Sequence, residues 1–284
     1  MRAGQPSTTA LYVAMGRAIA HAEGRVRGFS DPIARELLPA HYQRLVDLYV
    51  SGRTPPRARD RWTLRIVRRV ARMIPLRTVA IDDAVRSAPT LRQLVILGAG
   101  LDARAWRMSE LRDAIVFEVD HPATQAFKRE RTAALRPVAC EVRFVPVDFQ
   151  CDSLDQALAR AGHDAGAPTV WIWEGVIRYL SRAAIEATLD AVARRSAPGS
   201  RLVANYTTRA GLGRWLSNLV LATIGEPIRS AISPAGFAAL LAARDFRVLS
   251  DTDATAWAAR SAISLHWFER WRWAGLRHIV VAAR

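Results

Sequence analysis

Lysine is nearly missing from this 284-residue chain: Lys128 is the only one, although lysine and arginine together number 41. Cysteine is almost as scarce. Cys140 and Cys151 are too few to staple a fold of this size and lie in no CxxC or Cys/His cluster with metal-ligand spacing. That excludes a disulfide framework, gives no metal site, and predicts two reduced, inert thiols. No apolar run approaches the roughly 18 to 20 residues that span a bilayer, and the N-terminus lacks the basic, apolar and small-residue order of a signal peptide. A cytoplasmic protein without membrane insertion is the expectation.

What is present suits a globular enzyme-sized fold. Half of the residues are hydrophobic and 24% are charged, enough to bury a sizeable core and far from a disordered composition. The net charge of +15 would ordinarily point to nucleic acid or an anionic surface. An arginine- and alanine-rich chain with one lysine is also what a GC-biased genome yields, so a small-molecule partner is expected and nucleic acid is not. Nothing in the sequence indicates an oligomeric state.

Up to about residue 87 the chain reads as helices, at 8–21, 32–50 and 57–74, with Ser30-Asp31-Pro32 as a start signal and Pro75 as a stop. The third places Ile66, Val67, Val70 and Ile74 on one face and Arg61, Arg65, Arg68, Arg69 and Arg72 around the remainder, which reads as a solvated basic face in preference to a membrane or anionic-substrate surface. From residue 91 short apolar runs alternate with helical stretches, the pattern of βα units on a mostly parallel sheet. Strands are predicted at 94–97, 115–119, 142–147, 170–173, 202–205, 246–249 and 278–282, and helices at 103–108, 122–134, 154–161, 182–196 and 234–243. The expected division is a helical segment over 1–87 and an α/β core over 88–284.

The sharpest local signal is Val95-Ile96-Leu97-Gly98-Ala99-Gly100-Leu101-Asp102-Ala103, a buried strand entering a glycine turn and then a helix. Glycines there allow positive φ and close backbone approach to a ligand, and the helix start offers unpaired N–H groups. Gly98, Gly100 and Ala103 also satisfy G-x-G-x-x-A, with Glu118 and Asp120 about twenty residues on, so a nicotinamide dinucleotide competes as ligand. Asp120, at the tip of the second strand, is preferred to Glu118 for two ribose hydroxyls, over the alternative that either carboxylate caps the helix that begins at Pro122. Asp148 and Phe149 end the third strand, where a carboxylate can accept an adenine amino hydrogen and a ring can pack on the base. The fourth strand delivers Glu174 and Gly175 at its carboxyl end, with Tyr179 one turn later.

With these segments in order, the chain resembles the leucine carboxyl methyltransferase family, including bacterial members that act in polyketide and other secondary pathways. The resemblance rests on Ser30-Asp31-Pro32-Ile33-Ala34, Arg77 with Ile81-Asp82-Asp83, Leu97 through Arg104, Phe117-Glu118-Val119-Asp120-His121-Pro122, Asp148-Phe149, and Trp173-Glu174-Gly175-Val176-Ile177-Arg178-Tyr179-Leu180. It implies a class I methyltransferase fold, a Rossmann-like α/β sheet of about seven strands closed by an antiparallel final strand, with the N-terminal helices as a lid. It also implies S-adenosylmethionine as cofactor, with Arg77 on the methionine carboxylate, Gly98 and Gly100 along the cofactor backbone, Asp120 on ribose, Asp148 and Phe149 at adenine, and Glu174 near the amino group. Ala103 stands where the family often has threonine, and residues 206–229 match no part of the pattern.

Methyl transfer is an in-line displacement that needs positioning and exclusion of water more than dedicated catalytic groups. The acceptor expected is a small-molecule carboxylate or hydroxyl. Arg178 and Tyr179 are the candidate catalytic residues, and Tyr12, Arg17 and Tyr206 the candidate substrate contacts. The six histidines stand in no motif and read as surface or packing residues. A nicotinamide oxidoreductase and a nucleic-acid methyltransferase are the competing functions. The latter lacks an Asn-Pro-Pro-aromatic motif after the fourth strand, where Trp173-Glu174-Gly175 stands.

Overall fold

The computed structural model describes residues 7–208, 229–265 and 275–284. His266 and nearly all of the segment from 206 to 229 lie outside them. Seven strands form one mixed sheet: β1 (Gln93–Leu97), β2 (Ile115–Asp120), β3 (Glu141–Pro146), β4 (Thr169–Trp173), β5 (Arg201–Thr207), β6 (Arg247–Asp253) and β7 (Arg277–Ala283), in the order β3-β2-β1-β4-β5-β7-β6. Pairing is parallel from β3 to β5, while β7 runs antiparallel between β5 and β6. The order reverses between β1 and β4, the place where open α/β sheets hold their ligands.

Side chains alternate along the strands, as a period of two requires. Val95, Leu97, Trp171, Trp173, Leu202 and Ala204 pack on one face with α7 (Leu154–Arg160), α8 (Arg182–Arg194) and α9 (Pro234–Ala242). Leu94, Ile96, Ile172 and Val203 pack on the other with α4 (Ile74–Arg86) and α10 (Ala254–Arg260). Both faces are covered, which explains why the inner strands read as continuous apolar runs. Serines cap several of these helices: Ser153, Ser181 and Ser233 each accept the N–H three residues on.

The N-terminal helices build a third apolar cluster. Leu11, Met15 and Ile19 of α1 (Thr8–Glu23) meet Leu45 and Val46 of α2 (Ala40–Val50) and Leu64 and Val67 of α3 (Ala58–Ala71), and Leu101 and Ala103 from the glycine turn complete it. This core therefore rests on the first βα junction of the sheet. α4 precedes residue 87 yet contributes Leu76, Ala80, Ile81 and Val85 to the sheet's own cluster.

The helix boundaries at Pro39 and Pro75 differ from the sequence expectation. The helix expected over 32–50 begins only at Ala40; residues 31–38 form successive tight turns, started by the Asp31 side chain on the Ala34 N–H (3.1 Å). Pro39 explains the break, since its ring turns the preceding residue away from helical angles and it offers no N–H. Pro75 does not end the third helix. α3 stops at Ala71, and Pro75 sits in the first turn of α4, where a missing N–H costs nothing. The short α5 (Arg104–Arg107) and α6 (Pro122–Thr132) also fall inside their wider predicted spans.

Candidate functional site

The carboxyl ends of β3, β2, β1 and β4 carry Asp148, Asp120, Gly98 with Gly100, and Glu174 side by side along one edge of the sheet. Three inter-strand spacings separate the outer two, about 14 Å at ~4.8 Å each, a row suited to an elongated ligand. Gly98 has φ +71°, and a Cβ there would stand 2.1 Å from Val176 Cγ2, so the turn accepts no side chain. Gly100, at φ +48°, lies under Ala10 of α1. Its N–H donates to Asp120 Oδ2, and the His121 N–H donates to Asp120 Oδ1 at 2.6 Å. The helix-capping role falls to His121, whose Nδ1 accepts the Ala123 N–H, so Asp120 ties strand tip to glycine turn. Burial raises the Asp120 carboxyl above its ordinary value, and the two backbone N–H groups oppose that.

Glu118 is excluded from the edge by its own pairing. It is fully buried, 2.6 Å from Nζ of Lys128, the chain's sole lysine, which also lies over the Trp106 ring. Burial pushes the Glu118 carboxyl up to about 7, with Lys128 resisting.

Glu174 is the meeting point of three guanidinium groups from three helices. Arg77 of α4 reaches Oε1 through Nε and Nη2, both at 2.8 Å. Arg104 of α5 donates to Oε2 at 2.9 Å, and Arg17 of α1 donates to Oε1 at 3.2 Å. Arg104 has no exposed surface and also binds Asp82 (2.7 Å) and Asp102, while Arg107 takes the other Asp82 oxygen at 2.7 Å. Burial alone would raise Glu174, but Arg77, Arg104 and Arg17 outweigh it and hold the carboxyl far below its ordinary range. Nε of Arg17 and Nη2 of Arg104 are buried without a hydrogen-bond partner among the described residues. Donors left over beside a carboxylate fit a ligand that carries both an ammonium and a carboxyl group.

The other expected residues lie as follows. Asp148 follows β3 and uses Oδ1 to accept the Gln150 N–H at 2.9 Å, with Phe149 half-buried beside it. Arg178 and Tyr179 form the short turn Ile177–Tyr179 after β4; the guanidinium lies 5.3 Å from the Tyr179 ring centroid and its Nε is buried without a partner among the described residues. Arg17, expected at the acceptor, lies instead on Glu174. Tyr12 packs edge-on against Tyr42, within the helical cluster. Tyr206 is buried, stacks on Phe237 at 4.7 Å and donates to Asp251 Oδ2. Tyr12 and Tyr206 thus meet different partners.

Two groupings escaped the sequence reading. One is Asp82, Asp102 and Arg104 beneath Glu174; Asp102-Ala103-Arg104 was visible within the glycine motif, but its partners were not. The other is His278, whose Nδ1 lies 2.9 Å from Asp251 Oδ1 and whose ring tilts against Tyr206 at 5.3 Å. The hydrogen bond to Asp251 raises its pKa above the ordinary imidazole value. The antiparallel pairing of β5 and β7 sets His278 opposite Tyr206, and no local sequence pattern signals that.

Comparison with known proteins gives the family. The family model for leucine carboxyl methyltransferases matches residues 10–193. A Streptomyces coelicolor protein provisionally named an S-adenosyl-L-methionine-dependent methyltransferase is 38% identical over 222 residues, covering 76% of this chain and 75% of that one. A Frankia alni protein of the same provisional name is 39% identical over 214 residues, covering 73% and 71%. Among solved structures, one from Thermobifida fusca, provisionally called a methyltransferase, superposes with a TM-score of 0.61 at 18% identity, covering 100% of this chain and 96% of that one, a likeness of fold. The chain belongs to the leucine carboxyl methyltransferase family and is an S-adenosylmethionine-dependent methyltransferase.

Proposed function

We propose that the enzyme methylates an oxygen of a small-molecule carboxylate, with polyketide-type acids of secondary pathways as fitting acceptors. The observation that carries this reading is the Nε of Arg178 at the carboxyl edge of β4, buried and without a partner among the described residues, since such a donor favours an anionic acceptor. Arg77 holds the cofactor's carboxylate and Glu174 its ammonium, the latter kept ionised by its guanidinium neighbours. Gly98 and Gly100 line its backbone, Asp120 accepts from the ribose, and Asp148 with Phe149 receives the adenine. The bound cofactor supplies an electrophilic methyl group on a sulfonium. Arg178 and Tyr179 orient the acceptor, Tyr12 borders it, and Arg17 ties α1 to Glu174 so that the helices before α4 act as a lid over the sheet edge. A carboxylate is already nucleophilic, so these residues position it and exclude water.

A hydroxyl acceptor is the second reading, favoured by the His278–Asp251 pair, in which the carboxylate orients the imidazole for general-base work. The test incubates the enzyme with methyl-labelled cofactor and a cell extract, then treats the product with mild alkali. Label released as volatile methanol supports a carboxyl methyl ester. Alkali-stable label, together with activity lost in His278→Gln, supports the hydroxyl, and stable label on nitrogen or carbon contradicts both.

A further inference from the structure

The positive charge of this chain is not evenly spread. Residues 51–72 hold eight arginines against the single acid Asp60, almost half of the net +15, while the other 262 residues share the remainder. A compositional bias raises arginine everywhere; it does not strip carboxylates from one stretch. That stretch borders a cleft of about 440 Å³ between the end of α2 and the outer face of α3, lined by Arg53, Arg61, Arg65 and Arg68, with Tyr49 as one wall. Arg61, Leu64, Arg65 and Arg68 share one helix face at spacings of three and four, and Leu64, 7% exposed, forms the floor. Arg61 is fixed by its bonds to the carbonyls of Pro55 (3.1 Å) and Pro56 (2.6 Å), and Arg68 lies over the Tyr49 ring. Among the described residues no carboxylate forms an ion pair with any of the four cleft arginines. Glu23 is engaged by the Tyr49 hydroxyl at 2.8 Å, and Asp60 lies 3.2 Å from His41 Nε2.

Four guanidinium forks around one concavity exceed what a single carboxylate can satisfy. Their charge and geometry match an anion with several oxygens and at least two negative charges. We propose that this cleft binds a diphosphate or similarly charged phosphate group of a soluble small molecule, at a site that shares no residue with the methyl-transfer edge. A cleft with a floor and a wall encloses a compact group, whereas a membrane surface calls for a flat or convex face and a nucleic acid for a stripe longer than one helix turn or two.

The test is calorimetric titration of the full chain with inorganic pyrophosphate at about 150 mM ionic strength, where diffuse attraction is screened. The expected result is saturable binding at one site. Arg65→Gln and Arg68→Gln should each weaken it several-fold while the thermal unfolding midpoint stays near that of the parent. Arg182→Gln, which removes an exposed arginine elsewhere, should bind as the parent does. No binding, or binding equal in all four proteins, overturns the proposal. So does capture of the parent by phosphatidylserine vesicles or by a short RNA without any pyrophosphate heat, which would assign the charge to a membrane or a nucleic acid.

Discussion

Asp120 uses both carboxylate oxygens on backbone N–H groups, and an asparagine in its place keeps only one acceptor and turns a donor toward the other. Asp120→Asn should therefore do two things. It should weaken S-adenosylhomocysteine by about 2 kcal/mol, roughly thirty-fold, as a charge-assisted bond to ribose is lost. It should also lower the unfolding midpoint by a few degrees, because the Gly100 turn loses its tether. Titration and thermal melts read the two effects separately, and unchanged affinity with a lowered midpoint would leave Asp120 a purely structural tie. Choosing Asp120 over Glu118 was possible from the strand tip alone. The reason Glu118 is unavailable was not, because it depends on Lys128 from the following helix folding back onto β2.

The packing between elements carries its own pH dependence. His163, 4% exposed, links the end of α7 to β4 and α8: its Nε2 lies 3.0 Å from Thr169 Oγ1, and its Nδ1 accepts from Arg195 Nε at 3.2 Å. A ring that accepts from a guanidinium must be neutral, and burial, then Arg195, lowers its pKa to about 4. The unfolded chain protonates this histidine near 6.5, so below that pH the unfolded state binds the extra proton. Stability is then complete above about 6.5 and is lost as pH falls toward 4, by roughly 2 to 3 kcal/mol. Denaturant melts at pH 7.5 and 4.5 should show this loss in the parent and less of it in His163→Gln; equal losses would place the acid sensitivity elsewhere. Elements were legible to different degrees for related reasons. The inner strands announced themselves because both faces are covered, whereas β6 was expected to stop at residue 249 but continues through Asp253. Its Ser250-Asp251-Thr252-Asp253 stretch lies at the sheet edge and gives no apolar signal. The seven-residue α10 offers one large apolar side chain, Trp257, too little for a helical period.

At the scale of the whole molecule, the site is a row of strand ends closed from one side by helices that come earlier in the chain. The glycine turn, Asp120 and Asp148 could be placed on that row from sequence because each terminates its own strand. The charge cluster could not, since Arg17, Arg77 and Arg104 stand 157, 97 and 70 residues from Glu174 and only the folded chain joins them. The central claim is that this cluster receives the amino-acid end of the cofactor while the far end of the row receives the nucleoside. The most direct measurement is calorimetric titration of the parent and of Arg77→Lys with two ligands, S-adenosylhomocysteine and methylthioadenosine, which lacks the amino-acid end. Lysine cannot reproduce the planar two-point clamp of a guanidinium. The predicted result is a loss of about tenfold or more for S-adenosylhomocysteine in the variant, ~1.4 kcal/mol, with methylthioadenosine bound equally by both proteins. An equal loss for the two ligands, or no loss for either, would contradict the assignment of Arg77 and Glu174 to the methionine end.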